Sequence, residues 1–119
     1  MKARAIAKYI KGSPQKARLV IDLIRGRNVN DALAMLKTSS KRAAKPIEIT
    51  LRSAIANAEQ KADQLNVAID VDRLKVSSAT VDLGPTKFRR RVRPAPMGRA
   101  YRERRWQNHI TIEVESEKE

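Results

Sequence analysis

Residues 84–105 carry nine basic side chains, Lys87, Arg89, Arg90, Arg91, Arg93, Arg99, Arg102, Arg104 and Arg105, against Glu103 alone. Like charges at this density repel one another in any compact state, and a polyanion is the obvious compensating partner. A second basic stretch opens the chain, where Lys2, Arg4, Lys8, Lys11, Lys16, Arg18, Arg25 and Arg27 face only Asp22. Residues 28–72 are balanced, and residues 113–119 are acidic. The net charge of +13 and pI near 10.8 exceed anything solubility asks for. Two basic segments around a neutral middle point to a folded body with dedicated contact surfaces, not to a uniformly basic coil.

A chain of 119 residues fits one domain spanning 1–119 and can bury roughly two-thirds of its unfolded surface. Only Tyr9, Phe88, Tyr101 and Trp106 are aromatic and much of the apolar content is alanine, so the core is expected to rest on close packing of Ile, Leu, Val and Ala. There is no cysteine, which excludes disulfides and cysteine-bearing metal sites and fits a reducing compartment. The first residues lack the apolar run of a secretory signal, and no run approaches the ~20 residues that span a bilayer. A cytoplasmic, soluble protein is the expectation.

Residues 3–11 read as a strand that Gly12 breaks. Ser13-Pro14 is a helix start, with a serine side chain to cap a backbone N–H and proline at the first helical position. Ala17, Val20, Ile21 and Ile24 make one apolar stripe, and Gly26 ends the helix after Arg25 in its last turn. A second helix is predicted from Asn30 or Asp31 to about Lys37, with Leu33, Met35 and Leu36 apolar. A third runs from about Lys41 to Leu65 after Ser39 and Ser40 as caps, with Pro46 near its start. Ile47, Leu51, Ala54, Ile55, Ala58, Ala62 and Leu65 form its seam. From Leu74 the pattern turns to strand, but Leu74 and Val76 fall on one face and Ala79 and Val81 on the other, so a bulge or a fully buried strand is implied. The last segment alternates: Trp106, Asn108, Ile110, Ile112 and Val114 on one face, Gln107, His109, Thr111 and Glu113 on the other. The fold class is α+β, three helices packed on a three-stranded antiparallel sheet with a long protruding β-hairpin.

That hairpin arm is placed at about 84–99, joining two strands that should pair. Sixteen residues out and back, at ~3.3 Å each, reach about 25 Å beyond the sheet. Connections of this length in compact domains are usually functional or disordered. Alone the arm is a poor hairpin, because ordering costs about 1–2 kcal/mol per residue and there is little apolar surface to recover it. A phosphate-lined crevice would recover it: arginine presents a fork of donors that matches phosphate oxygens, and it stacks on bases. Phe88 adds a ring beside the arginines. Six to ten phosphate contacts would make binding fall roughly 10³–10⁵-fold between 50 and 200 mM salt on duplex DNA.

Several segments together resemble the bacterial large-subunit ribosomal protein family numbered twenty-two. They are Met1-Lys2-Ala3-Arg4-Ala5, Ser13-Pro14-Gln15-Lys16-Ala17-Arg18-Leu19-Val20, Ser53-Ala54-Ile55-Ala56-Asn57-Ala58-Glu59, Val81-Asp82-Leu83-Gly84-Pro85-Thr86, Gly98-Arg99-Ala100 and His109-Ile110-Thr111-Ile112. They stand in the family's order and cover nearly the whole chain. The resemblance implies a structural constituent of the large subunit in the cytoplasmic ribosome. Its partners would be large-subunit rRNA, neighbouring ribosomal proteins and the nascent peptide, with a role in assembly and a hairpin along the exit tunnel. The rRNA contacts would then fall on Lys2, Arg4, Lys8, Lys11, Lys16, Arg18, Arg25, Lys87, Arg89, Arg90, Arg91, Arg93, Arg99, Arg102, Arg104 and Arg105. The hairpin tip would be Lys87, Phe88, Arg89, Arg90, Arg91, Val92, Arg93 and Pro94. No catalytic residue, cofactor, metal, membrane or small-molecule substrate is implied.

Competing classes explain less. His109 is the sole histidine and sits on a strand, and Asp70 and Asp72 lack convergent partners, so an enzyme is disfavoured. Gly84-Pro85 is not a phosphate-cradling loop followed by a helix. The first two helices could mimic a helix-turn-helix regulator, which leaves the arginine arm without a purpose. A membrane-active helix would need an apolar face that the arm lacks.

Overall fold

The computed structural model describes residues 2–84, 90–94, 98, 100–104 and 107–116. In order they form β1 (Lys2–Lys11), α1 (Pro14–Ile24), α2 (Val29–Thr38), α3 (Ala44–Leu65), a 3₁₀ turn (Val71–Arg73), β2 (Lys75–Leu83), β3 (Arg90–Pro94), β4 (Ala100–Arg104) and β5 (Gln107–Glu115). β1, β5 and β2 make an antiparallel sheet in that spatial order, while β3 and β4 pair with each other as a separate ribbon. The architecture is the expected α+β one.

β5 takes the centre because its alternation is cleanest. Asn108, Ile110, Ile112 and Val114 are buried and the residues between them half-buried, so one face can take the helices and the other meet solvent. α3 lies against β1 and β5, α1 against β2, and α2 packs on α3. The core between them is built from Val20, Ile21, Ile24, Ile47, Leu51, Leu74, Ile110 and Ile112, with alanines filling the closest approaches.

The parity conflict in β2 is resolved by a bulge. The register against β5 shifts between Val76 and Ser78, one residue is absorbed, and Leu74, Val76, Ala79 and Val81 are all buried. A second bulge interrupts β1. Ala7 pairs with Ile110 and Ile10 with Asn108, so Lys8 and Tyr9 together oppose His109. Tyr9 is left at φ 59°, a left-handed conformation that costs a side-chain-bearing residue about 1 kcal/mol or more.

The helix boundaries correct several expectations. Ser13 precedes α1, but its side chain makes no capping bond; its carbonyl accepts from the Ala17 N–H at 3.1 Å. Pro14 holds the first helical position as expected. Arg25 lies just past the last turn in extended conformation, followed by Gly26 at φ 73°. α2 starts earlier than predicted because Asn28 caps it, its side-chain oxygen accepting from the Asn30 N–H at 2.9 Å. Its buried stripe is therefore Val29, Ala32 and Leu36, with Leu33 and Met35 only half-buried. Neither Ser39 nor Ser40 caps α3, which follows Ala43 and takes Pro46 within its first turn. Leu65 leaves the seam and is 57% exposed, since the helix ends there on Asn66 in a left-handed cap.

Both edges of the sheet are closed by groups from the helices and the α1–α2 connection, through side chains at β1 and through both side chains and backbone N–H groups at β2. At β1, Asn57 of α3 donates to the Arg4 carbonyl at 2.9 Å and Lys61 to the Lys2 carbonyl at 2.8 Å. At β2, the Gly26 and Val29 N–H groups donate to the Val76 and Leu74 carbonyls. Arg25 Nε then reaches the Ala79 carbonyl at 2.8 Å, and Arg18 reaches the Val81 carbonyl through both Nε and Nη2. Unpaired edge groups would otherwise template association with another strand.

The arm begins at Gly84, whose N–H donates to the Gln107 carbonyl at 2.8 Å. Approach there is close: a β-carbon on Gly84 would sit 3.2 Å from the Gln107 carbonyl oxygen. Within the arm Arg90 pairs with Arg104, Arg91 with Glu103, Val92 with Arg102, Arg93 with Tyr101 and Pro94 with Ala100. Paired residues of the arm therefore extend to Arg104, beyond the residue 99 expected. Arg90, Arg91, Val92, Arg93 and Pro94, expected at the tip, form β3 and pair with β4, while Lys87, Phe88 and Arg89 lie outside the described residues. The radius of gyration of 17.9 Å exceeds the ~13–14 Å of a compact chain this long, as a protruding ribbon requires.

Candidate nucleic-acid interface

In β1, Lys2, Arg4 and Lys8 alternate with the core-facing Ala3, Ala5 and Ala7, which places the cations on the sheet face away from the helices. Lys2 is engaged with Glu113 on the neighbouring strand at 3.6 Å. Arg4, Lys8, Lys11 and Lys16 are exposed and their charged groups have no ion-pair partner among the described residues. These four remain available to an external anion.

Arg18 and Arg25 behave differently. Both were expected at the RNA surface, yet both donate to β2 carbonyls, and Arg25 Nη1 also meets Asp22 at 2.7 Å. Part of each guanidinium is committed to closing the sheet edge. Glutamine at either position should lower the unfolding free energy by about 1 kcal/mol, a charged hydrogen bond discounted for partial exposure. Urea titration checks this; an unchanged midpoint for Arg18→Gln would remove the edge-closing role.

Lys87, Phe88, Arg89, Arg99 and Arg105 lie outside the described residues. Arg90, Arg91 and Arg93 occupy β3 and Arg102 and Arg104 occupy β4, so the register brings the basic positions of both legs onto one narrow ribbon. Placing Arg90 directly opposite Arg104 is unfavourable for an isolated sheet. Only Arg91, opposite Glu103, has a complementary register partner.

The structure adds cations that charge counting by segment hid. Lys37, Lys41, Arg42 and Lys45 are all exposed around the connection from α2 into α3. The first turn of α3 has no acidic residue, so positive side chains surround the positive end of a helix dipole, an arrangement that costs free energy until an anion arrives. The signal was present in sequence as Lys41-Arg42-Ala43-Ala44-Lys45, but averaging over residues 28–72 cancelled it against six acidic residues spread along that stretch. A second omission is the contact between Tyr9 and His109, which only the β1 bulge brings about.

Comparison with known proteins agrees with this picture. Residues 5–115 match the family model described as ribosomal protein L22p/L17e. The chain is 53% identical to the large ribosomal subunit protein uL22 of Solibacter usitatus over 119 residues, 100% of this chain and 99% of that one. It is 50% identical to the protein of the same name from Halothermothrix orenii over 119 residues, with 100% and 99% covered. The Desulfitobacterium hafniense (strain Y51) protein is 47% identical over 117 residues, 98% of this chain and 96% of its own.

Proposed function

Because this chain belongs to the ribosomal protein L22p/L17e family, we propose that its arm and basic body surfaces bind large-subunit rRNA, with the arm lying along the nascent-peptide exit tunnel. The protein is a structural, non-enzymatic constituent of the large ribosomal subunit in the cytoplasm. The arm's register carries the reading furthest. A ribbon with Arg90 opposite Arg104 and only one complementary cross-strand pair is favourable chiefly where phosphates stand on either side of it.

In this arrangement Arg4, Lys8, Lys11 and Lys16 hold the body to RNA, with Lys41, Arg42 and Lys45 as a further foothold at the start of α3. Lys2, Arg18 and Arg25 contribute from donors left over after their internal bonds. Lys87, Arg89, Arg90, Arg91, Arg93, Arg99, Arg102, Arg104 and Arg105 supply the arm. The end of the ribbon where Pro94 pairs with Ala100 lies furthest along the arm from the Gly84–Gln107 bond, and there the nascent peptide and neighbouring ribosomal proteins would be met. Binding of this kind supports early subunit assembly, since RNA strands held on two basic surfaces are drawn together.

The protein in cell lysate should sediment with large subunits at about 100 mM salt. For the free protein on large-subunit rRNA, log affinity should fall with log salt at roughly 0.7 per phosphate contact. Recovery only at the top of the gradient, with no salt-dependent RNA binding by the pure protein, would defeat the proposal.

A further inference from the structure

We infer that Tyr9 and His109 form a stacking platform for one unpaired base of the bound RNA, at the point where the arm leaves the body. The inference rests on the RNA-binding reading above and adds to it a contact that is not electrostatic. Tyr9 is 60% exposed although its backbone is held in a left-handed conformation at a bulge. An exposed ring on strained backbone does nothing for the core, and a regular β1 would dispense with both.

The local geometry fixes the pair in place. The Tyr9 N–H donates to His109 Nδ1 at 3.1 Å, so the neutral imidazole carries its proton on Nε2. Nε2 has no partner among the described residues, which leaves it as an outward donor. The two rings meet edge to face, 5.0 Å apart and 88° inclined. In that arrangement each ring keeps at least one face that the other does not cover.

The surroundings favour a nucleotide. Lys8 and Lys11 flank Tyr9, are exposed and lack ion-pair partners among the described residues. On the other side Asp82 is paired in register with His109, which disfavours a phosphate directly over the imidazole and leaves that position to a base edge. A base on the Tyr9 ring would set its phosphates toward Lys8 and Lys11 and a base acceptor on His109 Nε2, using the ring face, the two cations and the imidazole N–H together. Single-stranded RNA is commonly read in this way, by stacking with a few hydrogen bonds.

The test uses the full chain and in vitro transcribed large-subunit rRNA. Tyr9→Leu should weaken binding between about five-fold and about a hundred-fold, the worth of one stacked base, while Tyr9→Phe binds like the parent. The salt slope of Tyr9→Leu should stay unchanged, whereas Lys8→Gln with Lys11→Gln should lower it by one to two contacts' worth, roughly 0.7 each. Parental affinity in Tyr9→Leu would overturn the platform while leaving the RNA-binding reading intact. Equal losses in Tyr9→Leu and Tyr9→Phe would overturn it too, since a ring survives in the latter. Parental RNA affinity with poor subunit incorporation would assign the ring to a protein neighbour instead. Absence of RNA binding by the parent would sink both readings.

Discussion

A protein with Arg89, Arg90, Arg91 and Arg93 all replaced by glutamine should melt within about 2 °C of the parent and yet fail to enter large subunits. The stability half of this expectation follows from the register. Removing Arg90 relieves a like-charge pair with Arg104, and removing Arg91 loses an opposite-charge pair with Glu103. Each is a fraction of a kcal/mol and of opposite sign, so they largely cancel. β3 and β4 pair only with each other, apart from the sheet that carries the core. A residual change of about 0.5 kcal/mol moves the midpoint of a chain this size by about 2 °C. The binding half follows from charge: four lost phosphate contacts should cut rRNA affinity on the order of 10³-fold and reduce the salt slope by about three. Calorimetry of the free protein and gradient fractionation of cells expressing only the variant measure the two halves. A midpoint more than about 5 °C lower, or normal incorporation, would break the division between body and arm.

The elements most legible in sequence were those where one periodicity prevailed. Ala17, Val20, Ile21 and Ile24 are the buried residues of α1, and β5 buries the alternating Asn108, Ile110, Ile112 and Val114 that its pattern demands. Legibility failed where a long-range contact competes with a local rule. Ser13 looks like a side-chain cap but offers its carbonyl instead, and Asn28 caps α2 two residues before the expected start at Asn30 or Asp31. The parity break in β2 announced a bulge, but the one in β1 left no such mark, because Lys8 and Tyr9 are plausible strand residues wherever they point.

The candidate site was legible as charge and illegible as partnership. Nothing in a string of arginines distinguishes Arg4, whose guanidinium has no ion-pair partner among the described residues, from Arg18, whose guanidinium is drawn onto the Val81 carbonyl. That difference depends on α1 crossing the exposed edge of β2, a fact of topology. Likewise the arm's extent depended on where pairing resumes. Gly84 bonds Gln107 and β4 pairs with β3, so the arm includes Ala100–Arg104, beyond the residue 99 at which it was expected to end.

The alanine seam of α3 yields the second large effect. α3 lies along β1, and both contribute alanines at the contact: Ala54, Ala58 and Ala62 from the helix, Ala3 and Ala5 from the strand, all buried. Small residues on both sides let the two backbones approach closely enough for Asn57 and Lys61 to reach the Arg4 and Lys2 carbonyls at 2.9 and 2.8 Å. Leucine at position 58 would lever the helix outward. Leucine and alanine differ little in helix propensity, so the cost is one of packing: about 1–3 kcal/mol for overfilling plus roughly 1 kcal/mol for each edge hydrogen bond lost. The expected total is about 3 kcal/mol, or a midpoint lowered by about 12 °C. Ala56→Leu, exposed on the same helix, should stay within about 0.5 kcal/mol of the parent. Loosening α3 would also uncover the β1 edge, so Ala58→Leu should self-associate in size-exclusion chromatography at concentrations where Ala56→Leu stays monodisperse. If the two variants unfold at the same urea concentration, close helix–strand approach is not what seals this sheet, and the edge must be protected by its charges alone.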